Sequence, residues 1–174
     1  MKVFEKVKDL QEYLSGQKHP IGLVPTMGAL HQGHLSLIQN SKKDNATTVV
    51  SIFVNPIQFN DKKDFDKYPR LLDNDLKLLD NYNCDVVFAP SVEEIYPEPP
   101  QESYDFGYLD KVLEGAFRPG HFNGVAIVVN RLFNIVKPDR AYFGKKDYQQ
   151  YIIIKELVKQ QNLPIEIIAV PIVR

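Results

Sequence analysis

Short apolar segments alternate with longer segments of helical periodicity along most of this chain. Residues 47–54 are almost continuously β-branched and apolar, which is typical of a strand covered on both faces. Elsewhere the apolar residues recur at helical spacing, as at Leu72, Leu76 and Leu79, with Asp and Lys on the opposite side. Strands separated by helices of this length form βαβ units, so the sequence predicts an α/β fold built on a parallel sheet.

The predicted elements define where a ligand should bind. The predicted strands are residues 21–25, 47–54, 85–89, 140–143 and 165–173. The predicted helices are residues 34–40, 72–79, 124–136 and 146–161. Parallel sheets of this kind bind ligands outside the carboxyl ends of their strands. We therefore expect the functional residues in the loops that span residues 25–34, 55–70, 89–97 and 144–150.

Composition excludes several classes of protein. The 174 residues carry 21 Lys and Arg against 22 Asp and Glu, which suits one domain and argues against a basic binder of nucleic acid or membrane surfaces. A single cysteine, Cys84, cannot form an internal disulfide or a zinc cage, and this fits a reducing compartment. The charged N-terminus is unlike a secretory signal, and no apolar run approaches the ~20 residues of a membrane span. We expect a cytoplasmic protein.

A glycine-bearing loop after the first predicted strand is the strongest local motif. Gly28 and Gly33 have the spacing of a phosphate-binding P-loop, but His34 and Leu35 replace the Lys and Ser/Thr that this motif requires. What remains is a turn at the start of a helix, where free N–H groups favour anions. The loop is therefore a candidate phosphate site of a different type.

Two histidines three residues apart, His31 and His34, are predicted to share one face of the first helical turn. Imidazoles in this position can donate hydrogen bonds to phosphate oxygens and strengthen as charge develops. Two alternatives stay open at this point, a purely structural turn with exposed histidines and half of a metal site.

Four sequence blocks indicate a family. The stretch PTMGALHQGH, residues 25–34, resembles the HIGH motif of the adenylyl-transferring nucleotidyltransferase superfamily, which has a Rossmann-like, doubly wound parallel sheet. In this form it resembles the pantoate–β-alanine ligase family in particular. The further blocks that agree with that family, in the same order, are residues 53–59 with 66–70, residues 113–125 and residues 142–150.

The resemblance implies a two-step reaction. A carboxylate of pantoate attacks the α-phosphate of ATP, which gives enzyme-bound pantoyl adenylate and pyrophosphate. The amine of β-alanine then attacks the acyl carbon, which releases pantothenate and AMP. The implied partners are ATP with Mg²⁺, pantoate, β-alanine and a second copy of the chain in a homodimer.

The resemblance also implies roles for individual residues. The implied catalytic residues are His34, His31 and Lys146. The implied ATP-binding residues are Met27, Gly28, Ala29, Leu30, His31, Gln32, Gly33, His34, Gly144, Lys145, Lys146, Asp147 and Val173. The implied pantoate- and β-alanine-binding residues are Thr26, Asn55, Gln58 and Gln150.

Some assignments have competing interpretations. A lysine at a helix N-terminus is unfavourable for the helix dipole, so Lys146 is better explained as a phosphate contact, whereas Lys145 also fits a solvated charge. Asp75 is a weak magnesium candidate, because Asn74 stands where the family often has an adjacent acid, and a favourable charge at a helix N-terminus is at least as good an explanation. Arg118 and His121 fit a substrate-facing or a dimer-facing role equally well.

The resemblance further implies that residues 1–174 form the nucleotide- and pantoate-binding domain. In the family this domain is followed by a Ser-Ser-Arg loop and a smaller C-terminal domain that closes over the site, and neither is present in this sequence. Three functions stay open: the ligase, a dimerising domain that binds pantoate or ATP without catalysis, and another HIGH-motif adenylyltransferase.

Overall fold

The computed structural model describes residues 1–110 and 120–171, and their strands form one parallel sheet. The six strands lie in the order β1-β4-β3-β2-β5-β6, and every pair is parallel. Their bounds are β1 Lys2–Phe4, β2 Ile21–Thr26, β3 Thr47–Ile52, β4 Val86–Phe88, β5 Arg140–Gly144 and β6 Glu166–Val170. The predicted α/β parallel sheet is confirmed.

Helices cover both faces of the sheet, so the fold is doubly wound. On one face, α1, α6 and α7 bury their apolar residues, and on the other face α2 and α4 do so. The bounds are α1 Val7–Ser15, α2 Gln32–Asp44, α3 Lys62–Lys67, α4 Leu72–Asn81, α5 Val92–Ile95, α6 His121–Val136 and α7 Tyr148–Gln160. Short 3₁₀ turns are Pro56–Gln58, Gly107–Asp110 and Lys145–Asp147.

Strand β3 shows why the central strands have continuous apolar sequences. Val49 packs in the core under α1, α6 and α7, while its neighbour Val50 packs in the core under α2 and α4. Successive side chains point to opposite faces of a strand, so a strand buried on both sides needs apolar residues at every position. The prediction that this strand is covered on both faces is confirmed.

Helix α2 packs very closely on β2 at Gly22. A Cβ atom at this position would overlap the Ser41 hydroxyl and the side-chain amide of Asn45, both at the C-terminal end of the helix. Ser41 also hydrogen-bonds Thr48 of β3 at 2.8 Å. The absence of a side chain at Gly22 therefore lets the C-terminal end of α2 pack directly on the sheet.

The structure contains a strand and a helix at the N-terminus that the sequence patterns did not predict. Strand β1 has only three residues, largely exposed, and α1 follows it after a short connection. Too few apolar residues alternate in β1 for a sequence pattern to reveal it. The last strand runs over Glu166–Val170, shorter than predicted, and residues 172–174 lie outside the described chain.

The topology places a crevice beside β2. From β2 the chain adds β3 and β4 on one side, and β5 and β6 on the other. Loops that leave neighbouring strands in opposite directions open a crevice at the carboxyl edge, where ligands bind in such sheets. In the described part of the chain, no helix has the length and apolar character needed to cross a membrane.

Candidate active site

A buried carboxylate holds the loop that follows β2. Gly28 and Ala29 have positive φ angles of 80° and 51°, a left-handed conformation that is strained for a residue with a side chain such as Ala29. Asp75, only 3% exposed, accepts hydrogen bonds from the N–H groups of Ala29 and Leu30, both at 2.9 Å. The carboxylate of α4 thus compensates for the strain of the loop.

Thr26 fixes the start of the same loop. Its hydroxyl donates to the carbonyl oxygen of Ser51 at 2.8 Å and accepts the N–H of Gly28 at 3.2 Å. The hydroxyl thereby joins the ends of β2 and β3 before the chain turns.

The two histidines form a reciprocal cap at the start of α2. The backbone N–H of His31 donates to Nδ1 of His34, and the N–H of Gly33 donates to Nδ1 of His31, each at 3.1 Å. Since Nδ1 accepts in both rings, each neutral imidazole carries its proton on Nε2. The prediction that both histidines lie in the first helical turn was wrong for His31, which precedes the helix as its N-cap in an extended conformation.

The His34 imidazole is neutral at physiological pH. Its pKa is lowered to about 4, chiefly by burial and also by nearby His31 and Lys146, while the Asp75 carboxylate opposes the shift. The ring therefore offers a fixed Nε2–H donor rather than a titrating charge.

These contacts change which groups can bind a phosphate. The sequence predicts that backbone from Met27 to His34 cradles the nucleotide. Within that stretch, backbone N–H groups already donate to acceptors inside the chain at Gly28, Ala29, Leu30, His31 and Gly33. The donors left for an anion in this conformation include the Nε2–H groups of the two histidines.

The segment after β5 is more exposed than the loop after β2. Lys145 and Lys146 lie in a 3₁₀ turn, and helix α7 begins only at Tyr148, later than predicted. Both lysine side chains are exposed. Lys146 therefore sits between strand and helix, close enough to His34 to affect its pKa. The predicted contacts of the Asp147 side chain and of Val173 lie outside the described part of the structure.

Two cavities meet at the histidines. One, of about 500 Å³, lies between the β2 loop, the turn Pro56–Gln58 and helix α6, and the other, of about 350 Å³, lies between α2 and the end of β5. Pro25, His31, His34 and Gln150 line both cavities.

Most of the predicted site residues lie in these walls. The larger cavity is also lined by Thr26, Met27, Gly28, Ala29, Asn55 and Gln58. The smaller cavity is also lined by Gln32, Gly33, Gly144 and Lys146. Leu30 is placed elsewhere, because its side chain packs against the core beside α2, and Lys145 is not among the lining residues described.

Helix α6 supplies an apolar wall that sequence reasoning missed. Val125, Val128, Val129 and Leu132 line the larger cavity. Their spacing marks one face of a helix, which is also the signal of an ordinary core face, so periodicity cannot distinguish the two roles. His121 lies at the same wall, with Nδ1 3.2 Å from the carbonyl oxygen of Gln58.

Tyr68 also lines the larger cavity, and its role was not predicted. Burial raises the pKa of its phenol, and the Asp75 carboxylate raises it further. Tyr68 is therefore a neutral hydroxyl at the cavity wall.

The described residues do not build a magnesium cage. They contain no group of three or more His, Cys, Asp or Glu side chains placed to hold a metal ion. Both oxygens of Asp75 accept backbone N–H groups of the β2 loop. This contact explains the burial of Asp75 without a metal.

Sequence comparisons agree with the geometry. A family model described as pantoate-beta-alanine ligase matches residues 2–174. A pantothenate synthetase of Bacteroides fragilis is 58% identical over 177 residues, which cover 100% of this chain and 63% of the relative. A pantothenate synthetase of Aquifex aeolicus is 54% identical over 175 residues, which cover 99% of this chain and 62% of the relative. The chain thus spans less than two thirds of the length of these relatives.

Solved structures show the same similarity. A pantothenate synthetase from Thermus thermophilus superposes with a TM-score of 0.94 at 45% identity, over 100% of this chain and 63% of that one. A pantoate-beta-alanine ligase from Francisella tularensis, complexed with beta-gamma ATP and beta-alanine, superposes with a TM-score of 0.95 at 42% identity, over 100% of this chain and 68% of that one. The matched family model and these relatives together show that the chain belongs to the pantoate–β-alanine ligase family.

Proposed function

We propose that the protein condenses pantoate with β-alanine in an ATP-dependent reaction that passes through pantoyl adenylate and releases AMP and pyrophosphate. The observation that carries this proposal is the shared wall of the two cavities, where His31, His34 and Gln150 face both spaces. A reaction that joins a carboxylate to a nucleotide phosphate needs two adjoining sites that meet at the reacting atoms.

The smaller cavity suits the nucleotide. It combines the Nε2–H donors of His31 and His34 with the ammonium group of Lys146. Attack on the α-phosphate places charge on the phosphoryl oxygens and on the departing pyrophosphate, so fixed donors and a cation stabilise the transition state. Neutral imidazoles donate without first losing or gaining a proton.

The larger cavity suits pantoate. Pantoate carries two methyl groups on one carbon, beside two hydroxyls and a carboxylate. The valines and Leu132 of α6 offer an apolar wall for the methyl groups, and the amides of Gln58 and Gln150 offer hydrogen bonds to the oxygens. Both kinds of group occur in one cavity, as this substrate requires.

Each proposed step forms one bond and breaks another. A pantoate carboxylate oxygen forms a bond to the α-phosphorus, and the bond to pyrophosphate breaks. The β-alanine amine then bonds to the acyl carbon, loses a proton, and displaces AMP. Magnesium enters as part of the ATP substrate, held by the phosphates, since such ions need few protein ligands.

An assay of products tests the proposal. The full-length protein, incubated with ATP, Mg²⁺, pantoate and β-alanine, should form AMP and pantothenate in equal amounts, and omission of pantoate should abolish both. Absence of both products above background at high protein concentration would overturn the ligase function. In that case calorimetry with pantoate would test the alternative of a domain that binds without catalysis, which the family match does not favour.

We also propose a homodimer in the cytoplasm. The homodimer follows from the family resemblance, and sedimentation at micromolar concentration tests it, since a species of one chain would contradict it. The cytoplasmic location is supported by the cysteine content, since the single Cys84 fits a reducing compartment. Cell fractionation would check it.

A further inference from the structure

Gln58 lies at the cavity wall, and a chain of buried hydrogen bonds sets its orientation. We propose that Tyr96, acting through Asn55, fixes the orientation of the Gln58 side chain so that its NH₂ group donates to pantoate. Tyr96 is thus a positioning residue for the proposed reaction, and the inference rests on the proposed function for the identity of the ligand.

The hydrogen bonds run in one direction. The Tyr96 hydroxyl donates to Oδ1 of Asn55 at 2.7 Å, and Nδ2 of Asn55 donates to Oε1 of Gln58 at 3.0 Å. Tyr96 is 7% exposed and Asn55 is 1% exposed, so water does not compete for these groups. The chain links the end of α5 to the cavity wall.

A backbone carbonyl removes the ambiguity of the Asn55 amide. Nδ2 of Asn55 also donates to the carbonyl oxygen of Gly124 at 3.1 Å. A carbonyl oxygen only accepts, so the NH₂ group of Asn55 must face Gly124, and its oxygen must face Tyr96. The second hydrogen of that NH₂ group points to Gln58, which must present its own oxygen in return.

Tyr96 is suited to be the fixed donor. Burial raises the pKa of its phenol well above the usual value, although the Arg131 guanidinium opposes this shift. That guanidinium lies 5.1 Å from the centre of the Tyr96 ring and donates to the Ile95 carbonyl oxygen. The hydroxyl therefore keeps its proton over the physiological range.

The consequence concerns how pantoate is held. With Oε1 engaged by Asn55, the NH₂ group of Gln58 is the donor that it offers to the cavity. Such donors suit the carboxylate and hydroxyl oxygens of pantoate. Gln58 thus meets the substrate in one fixed orientation of its amide.

The Tyr96→Phe variant of the full-length protein tests this relay. Loss of the hydroxyl leaves Oδ1 of Asn55 without its donor, so the Asn55 side chain is held at Gly124 alone and orients Gln58 less firmly. The KM for pantoate should therefore rise about tenfold. The KM for ATP should stay within twofold, because the nucleotide cavity does not contain the relay.

Tyr104→Phe is the matched control. The Tyr104 hydroxyl also binds an asparagine amide, that of Asn130 at 3.0 Å, and neither residue is among those lining the larger cavity. Both variants should lower the melting temperature by a few degrees. Only Tyr96→Phe should change the KM for pantoate, and equal KM values in the two variants would show that Tyr96 is merely a core residue.

A second measurement does not depend on turnover. In ¹H–¹⁵N spectra of the unmodified protein, the NH₂ protons of Asn55 should exchange slowly with solvent and those of Gln58 rapidly. Rapid exchange of the Asn55 amide would overturn the relay even in a protein that makes no pantothenate. Conversely, slow exchange without product formation would refute the ligase proposal and leave the relay intact.

Discussion

The two segments that flank the proposed reaction centre are built in opposite ways. After β2, the loop N–H groups of Ala29 and Leu30 are tied to a buried carboxylate, and the two histidines cap each other. After β5, Lys145 and Lys146 occupy a short 3₁₀ turn with exposed side chains. The first segment presents rigid donors in one geometry, whereas the second presents a charge on a flexible stem.

This difference predicts how the segments respond to substitution. Residues of the β2 loop take part in the hydrogen bonds that fold the chain, so changing them should alter folding and reaction together. Residues of the β5 turn face solvent, so changing them should alter the reaction alone. Four measurements test this contrast.

The largest expected effect is that of His34→Ala in the full-length protein. Removal of a fixed donor at a developing charge costs about 3–4 kcal/mol, or roughly 10²–10³-fold in the adenylation rate. The loss of the cap to the His31 N–H should also lower the unfolding free energy by about 1 kcal/mol. Pantoate-dependent pyrophosphate release and urea unfolding measure the two effects.

His19→Ala is the control, because His19 precedes the other end of β2 and pairs with Asp139 on the surface at 2.7 Å. Its adenylation rate should stay within twofold of the unmodified protein. If His34→Ala also stayed within twofold, His34 would have no part in the mechanism.

Asp75→Asn should have the next largest effect. The amide can accept only one of the two loop N–H groups and turns its own NH₂ toward the other, which costs about 1–3 kcal/mol of unfolding free energy. The adenylation rate should fall as well, because the loop that carries the histidines loosens. Urea unfolding and pyrophosphate release are the measurements.

Asp73→Asn is the matched control on the same helix, since Asp73 is exposed in its first turn. It should change the unfolding free energy by no more than about 0.5 kcal/mol. Equal destabilisation by both variants would show that Asp75 does not brace the loop.

Lys146→Gln should separate the two segments most clearly. Loss of the cation should lower kcat/KM for ATP about tenfold, since charge-assisted contacts to phosphate are the stronger class of hydrogen bond. The urea midpoint should stay that of the unmodified protein. Lys159→Gln, at the far end of α7, should change neither quantity, and a large loss of stability in Lys146→Gln would contradict the contrast.

The last test is a pH dependence of folding. His34 has a folded-state pKa of about 4, below the ordinary value of 6.5, so between these pH values the unfolded chain binds a proton that the folded chain does not. This contribution to stability is fully present above pH 6.5 and is lost as the pH falls toward 4.

The His34→Gln variant isolates that contribution, because Gln at the third helical position also suits a capping box. Its unfolding free energy should fall less between pH 7 and pH 5 than that of the unmodified protein. Proton NMR of the His34 ring should give a midpoint near 4, and a midpoint near 6.5 would contradict the buried, neutral imidazole.

Sequence reasoning was most successful where the signal is local. The strands from β2 to β5 have dense apolar or β-branched sequences, and the motif loops at their ends were placed correctly at the carboxyl edge of the sheet. The three-residue strand β1 was not predicted, because so short an element carries no periodic pattern.

The contacts that shape the site were not predictable in this way. Asp75 lies more than forty residues from the loop it holds, and Tyr96 lies at a similar separation from Asn55. From the sequence, the position of Asp75 near the start of a helix predicts only a favourable interaction with the helix dipole. A single tyrosine such as Tyr96 is typical of a residue in the hydrophobic core. Only tertiary packing brings these groups to their partners.

The close approach at Gly22 makes the site vulnerable from a distance. Helix α2 is about 20 Å long, with His34 in its first turn and the Gly22 contact at its last. A methyl group added at Gly22 would push the C-terminal end of α2 away from the sheet. Because the helix moves as a rigid unit, the His34 imidazole at its first turn would shift as well. Natural variation at this position, remote from both cavities, is therefore best interpreted as an inactivating change.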